Sequence, residues 1–191
     1  MVALRPPTVS AAPDGSLVEL SSGTALSYLF WEAHSTGDLT PTSIATEKAT
    51  KLTQPFNPNL ASLTPTNSLA LPFADLLPYL DATLKSLTLH TSARNDFSTY
   101  WLPSFARIHN RGQRIALRFV EQAAYQQAAK LEVEPEPDVV TRVFMLFKGV
   151  QQGEVRGEES FDWSKIVGVE DGADDATKFR VLEWGGMEVL S

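Results

Sequence analysis

Leucines at 76, 80, 84 and 87 recur at spacings of four, four and three. That spacing sets them on one face of a helix over 75–89. Pro72 sits near its start, where a missing N–H costs little, and Pro78 marks either a kink or a first-turn position. Thr91 or Ser92 can cap a second helix through Phe97, Tyr100 and Trp101. Pro103 is expected to end or bend that helix, with a short helical piece over 104–108. From Gln113 to Val120 the period changes to two: Ile115, Leu117 and Phe119 fall on one face, Arg114, Ala116 and Arg118 on the other. This predicts a strand with one wet face. Val139–Phe147 is the strongest strand candidate, with apolar residues on both faces. Between these strands, the alanine- and glutamine-rich run 121–129 predicts a helix. Leu131-Glu132-Val133 predicts a short strand, and Pro135-Glu136-Pro137-Asp138 a rigid acidic turn.

The ends of the chain are patterned more weakly. Residues 1–12 read as a flexible lead without the apolar run of a signal peptide. Pro13-Asp14-Gly15-Ser16 and Ser21-Ser22-Gly23 are turn chemistry. They bracket a short strand at 17–20 and precede an aromatic-rich run at 25–33, so a hairpin is expected. Residues 35–71 are spaced by Pro41, Pro55, Pro58 and Pro65 among threonines, serines and asparagines. They predict a long irregular loop, with at most one helical turn at Thr46–Lys51. One or two further strands are expected around Gly185-Gly186. The fold class is therefore α+β: an antiparallel sheet with two or three helices packed on one face. Its main domain is 13–150, followed by a C-terminal extension, 151–191, packed on it.

Composition narrows the chemistry. The chain has 191 residues and no cysteine, which excludes disulfides, thiolate metal sites and thiol nucleophiles. Its net charge of −7 disfavours nucleic acid. No stretch approaches the ~20 apolar residues of a membrane span. A reducing, cytoplasmic location is expected, although a cysteine-free chain is also compatible with secretion. The charge is uneven: residues 151–191 carry 4 basic and 10 acidic groups, but Phe161, Trp163, Ile166 and Trp184 interrupt them. That segment is not a plain acidic tail.

The candidate chemistry is sparse. Glu32 could share a strand face with His34 and act as an acid/base pair; the blander alternative is that it satisfies a buried donor. Only His34, His90 and His109 exist, and no two have ligand spacing. Serine-nucleophile and phosphate-loop motifs are missing. The aspartates at 162, 171, 174 and 175 lack the spacing of a calcium loop. No catalytic, metal-binding or cofactor-binding residue is assigned. Arg107, Arg111, Arg114 and Arg118 form a basic cluster, suited to carboxylate or phosphate partners or to internal pairing with acidic segments. Trp31 and Trp101 read first as core anchors, and second as a platform for a sugar or peptide.

Four blocks stand in order. Pro13-Asp14-Gly15 leads to Tyr28-Leu29-Phe30-Trp31-Glu32-Ala33. Asp96 begins a block ending Tyr100-Trp101-Leu102-Pro103. Leu117-Arg118-Phe119 stands with Tyr125 and Ala128. Pro135-Glu136-Pro137-Asp138 precedes Arg142-Val143-Phe144-Met145. Over roughly 13–150 the chain resembles a family of small uncharacterised bacterial and fungal domains. The resemblance implies no activity, cofactor or catalytic residue. The expectation is a non-enzymatic binding or interaction module for a protein or glycan ligand. Trp31, Glu32, Tyr100, Trp101, Arg118 and Arg142 are its ligand-binding candidates. Two alternatives stand beside it: a small hydrolase or lyase using Glu32 with His34 or Asp96, and a structural subunit that self-associates, for instance as a dimer.

Overall fold

The computed structural model describes residues 8–12, 14–32, 54–154 and 161–189. His34, the 46–51 turn and most of the 35–71 loop lie outside the described residues. The chain divides into two units, Met1–Pro41 and Thr42–Ser191.

The first unit holds a small antiparallel sheet of β1 (Val9–Ala11), β2 (Leu17–Glu19) and β3 (Ala25–Leu26). The expected hairpin is there, but its second strand stops at Leu26. Tyr28, Leu29, Phe30 and Trp31 continue without strand pairing and are exposed, Trp31 at 49%. Trp31 is therefore not the core anchor its size predicts. The turn after β2 is locked by Glu19, whose carboxylate accepts from the hydroxyls and amides of Ser21 and Ser22. These bonds, the Ser22 hydroxyl foremost, pull its pKa down to about 2.

The second unit is built on a four-stranded sheet in the order β4 (Leu69–Leu71), β5 (Arg114–Phe119), β6 (Val139–Val150), β7 (Arg180–Glu188). β4, β5 and β6 are antiparallel neighbours; β5 and β6 fall where strands are expected, whereas β4 lies at the end of the stretch expected to be loop. β7 differs: it joins β6 in parallel, Val139 opposite Arg180 through Phe147 opposite Glu188. The acidic C-terminal segment thus supplies an edge strand to the sheet. It also supplies α4 (Trp163–Val167), whose Trp163 is buried in the main core.

Two long helices cover one face. α1 (Phe73–Ser86) buries Leu76, Leu80 and Leu84, and Leu87 follows at its C-cap. α2 (Thr91–Asn110) is capped by His90, whose Nδ1 accepts from the Ala93 N–H at 3.3 Å. α2 runs on through Pro103 rather than ending there. A mid-helix proline costs ~3 kcal/mol, but residues on both sides of it, Phe97, Phe105 and Ile108, are fully buried. Burial of three such side chains outweighs that cost at ~1.5–3 kcal/mol each. They meet Ile115, Leu117, Phe119, Val143, Met145 and Phe147 from the sheet. Trp163 Nε1 donates to the Tyr79 hydroxyl at 2.6 Å, joining α4 to α1.

The opposite face is covered by α3 (Gln122–Ala128) and by residues 56–63, which pack Phe56, Ala61 and Leu63 with Ala116, Val120, Tyr125 and Leu146. The fold is α+β, with three helices on one face of this sheet as expected and the short α3 added on the other. Residues 131–133 form no strand; with β6 already paired on both sides, they have no free sheet edge beside it to join.

Candidate functional site

Strand alternation puts Arg114 and Arg118 of β5 on the face that meets α3, together with Arg142 and Lys148 of β6. Four cations under one layer of chain is an unusual lining for a core-side surface, since a buried charge needs a partner.

Arg142 has its partners. Its side chain is 3% exposed. The guanidinium donates through Nε to Glu183 of β7, and through Nη1 to the Gln126 Oε1 and the Ala129 carbonyl. Its plane lies over the Tyr125 ring, 4.4 Å from the centroid. The Gln122 side chain accepts from the Arg142 N–H at 3.1 Å. One arginine thus ties α3 to β6 and β7. Burial first, and the nearby Glu183 carboxylate second, push the Tyr125 phenol up to about 12. Arg142, a ligand-binding candidate from sequence, is a framework residue here.

Arg114 is held by the Ala70 carbonyl, to which its Nη2 donates at 2.9 Å. Arg107, on α2, pairs with Glu188 of β7. Arg118 is different. It is half-buried, and among the described residues no carboxylate, carbonyl or hydroxyl accepts from its guanidinium. Burial alone lowers its pKa below the ordinary arginine value.

Arg118 lines a cleft of about 540 Å³. Its floor is Arg118, Val120 and Leu146, one wall is α3 with Glu121 and Ala124, and the rim is the segment around Phe56 and Asn57. That rim is locally fixed: the Asn57 side chain accepts from the Asn59 N–H at 2.9 Å, opening a 3-10 turn over Pro58–Leu60. The Phe56 N–H donates to the Ala124 carbonyl at 3.0 Å and ties the rim to α3. Phe56 also packs against Phe144, which stacks on Tyr125. The lining combines one cation, one carboxylate, the side-chain amides of Gln54 and Asn57 and the Ser62 hydroxyl with the apolar side chains of Val120 and Leu146. A cavity of this size fits a small organic ligand.

The other sequence candidates fall elsewhere. Trp101 is partly buried against the helix-side core, edge-on to Phe147 at 5.1 Å. A side chain at Gly186 would stand 3.2 Å from its ring, so glycine there makes room for the indole. Tyr100 is 47% exposed and edge-on to Trp101. Glu32 is exposed in the first unit, and Asp96 accepts from the Ser92 hydroxyl at 3.5 Å on α2 of the second. Sequence reasoning missed Phe56, Asn57 and Glu121. The Asn57-Pro58 pair was a readable signal, because asparagine before proline opens turns. Among the described residues, no group of three or more histidines and carboxylates could hold a metal, and no helix is long and apolar enough to cross a membrane. No family model, curated protein or solved structure matches the chain.

Proposed function

We propose that the protein is a non-enzymatic binding module that receives a small ligand in the cleft beside Arg118. The observation that carries this reading is the half-buried Arg118 guanidinium, which has no acceptor among the described residues, in a face where Arg114 and Arg142 both have one. Partial desolvation of a cation disfavours folding; a ligand that accepts from its donors recovers part of that loss on binding. A glycan platform is less well supported, because Trp101 is committed to Phe147 and the main core.

The test is a fragment screen by two-dimensional NMR on the full chain, with the backbone assigned. The expected hits shift the amides of Phe56, Val120, Glu121 and Leu146 together. Hits confined to other surfaces, or no hits at all, overturn the assignment of the cleft as the binding site.

A further inference from the structure

The chemistry of the cleft wall narrows the ligand, on the premise that the cleft is a binding site. We infer that the cleft selects a small monocarboxylate with a compact apolar body, its carboxylate received by the Arg118 fork. Three features carry this. Arg118 presents a planar set of donors that matches one carboxylate in two parallel bonds. Glu121 lies on the same wall, so a ligand with a second negative charge, such as phosphate, meets repulsion that a monoanion escapes more easily. The remaining floor, Val120 and Leu146 with Phe56 at the rim, offers apolar area beside the side-chain amides of Gln54 and Asn57, and among the described lining residues there is no further cation. Lys148, on the same sheet face, lies outside the cleft lining. A carboxylate alone would leave that area wet, and an apolar body alone would leave the guanidinium unmatched. Desolvation of Arg118 strengthens its hydrogen bonds to an anion relative to the same bonds in water.

The experiment is an NMR titration of the full chain with phenylacetate, phenylacetamide and inorganic phosphate, on the parent protein and on Arg118→Met and Arg118→Lys. Circular dichroism and thermal melts check that each variant is folded. Phenylacetate is expected to shift the cleft amides, phenylacetamide to bind at least tenfold more weakly, and phosphate to leave the cleft amides in place. Arg118→Met is expected to weaken phenylacetate about tenfold to a hundredfold, the range of a lost charged hydrogen bond. Arg118→Lys should recover only part of this, because the charge returns without the fork.

Equal binding of amide and carboxylate, or unchanged binding in a folded Arg118→Met, overturns the monocarboxylate and leaves the cleft as a binding site for neutral ligands. Preferential binding of phosphate overturns it in favour of a dianion. If none of the three probes moves a cleft amide, the monocarboxylate inference fails. The binding-module reading fails with it only if the fragment screen is also blank at the cleft.

Discussion

The two faces of the β4–β7 sheet solve the same packing problem in different ways. The face under α1, α2 and α4 is closed by aliphatic and aromatic side chains that fill space and carry almost no charge. The face under α3 is closed by fewer apolar residues around arginines, and it holds through directed bonds: Arg142 to Glu183, Gln126 and Ala129, and Arg114 to Ala70. Dispersion and burial tolerate small adjustments of geometry; a charge network does not, because each lost partner leaves a buried ion behind. The first face is suited to hold the fold. The second combines fixed framework charges with Arg118, whose guanidinium has no acceptor among the described residues and which lines the cleft.

If that contrast is right, the faces should fail differently. The largest loss is expected at the helix-side core. Phe105 is fully buried and packs edge-on to Phe147 at 5.0 Å. Phe105→Ala should cost about 4 kcal/mol in urea unfolding, from lost burial and the cavity left behind. Arg142→Met should cost about 3 kcal/mol, nearly as much, for a different reason: Glu183, with a side chain 13% exposed, loses its ion pair with Arg142. The double variant Arg142→Met with Glu183→Leu sharpens the point. It should be more stable than Arg142→Met alone, whereas no second truncation rescues Phe105→Ala. If the double variant is no better, the network is not what the Arg142 change disrupts.

Smaller effects separate the faces further. Tyr79→Phe leaves the Trp163 N–H without its acceptor and should cost about 1–2 kcal/mol. On the other face, Tyr125 brings a pH dependence. Its folded pKa of about 12 lies above the ordinary value of 10, so the folded state holds the phenolic proton more tightly. The associated stability is complete below pH 10 and is lost as pH rises through about 12. Melting temperatures measured between pH 9 and 12 should fall more steeply for the parent than for Tyr125→Phe. Parallel curves would mean that Tyr125 is not desolvated as described.

Much of the helix-side face was legible in the sequence and little of the other. Leucines at helical spacing and alternation at 115, 117 and 119 report burial directly, because a single stripe must face a single core. The sequence leaves open whether α2 ends or only bends at Pro103, because proline is a local signal; packing on both sides of it keeps the helix running to Asn110. The parallel pairing of β7 leaves no trace in local pattern, since either direction buries Leu182 and Trp184 equally well. Arg118 and Arg142 looked alike, as arginines alternating with apolar neighbours. What separates them is the position of Glu183 and Gln126, 41 and 16 residues away from Arg142. The cleft rim comes from a proline-spaced stretch whose periodicity carries no information. Trp31 shows the limit of composition: a large ring predicts burial on average, but this one stands in a unit with too little sheet to cover it.

The smallest stability effect is expected at Arg118, and it is the one that decides the comparison. A framework arginine gives up bonds when it is replaced; Arg118 has none to give up among the described residues. Arg118→Met keeps most of the side chain's length, removes the desolvated charge and leaves no acceptor stranded. Its unfolding free energy should therefore lie within about 0.5 kcal/mol of the parent, or slightly above it, against the loss of about 3 kcal/mol for the same substitution at Arg142. Chemical denaturation of the two variants side by side measures this. A loss at Arg118 comparable to that at Arg142 would mean that the guanidinium is part of the framework, and the contrast between committed and uncommitted charge on this face would collapse. A neutral or stabilising result, together with weakened phenylacetate binding, would mark Arg118 as a residue retained at the expense of stability for the sake of a ligand.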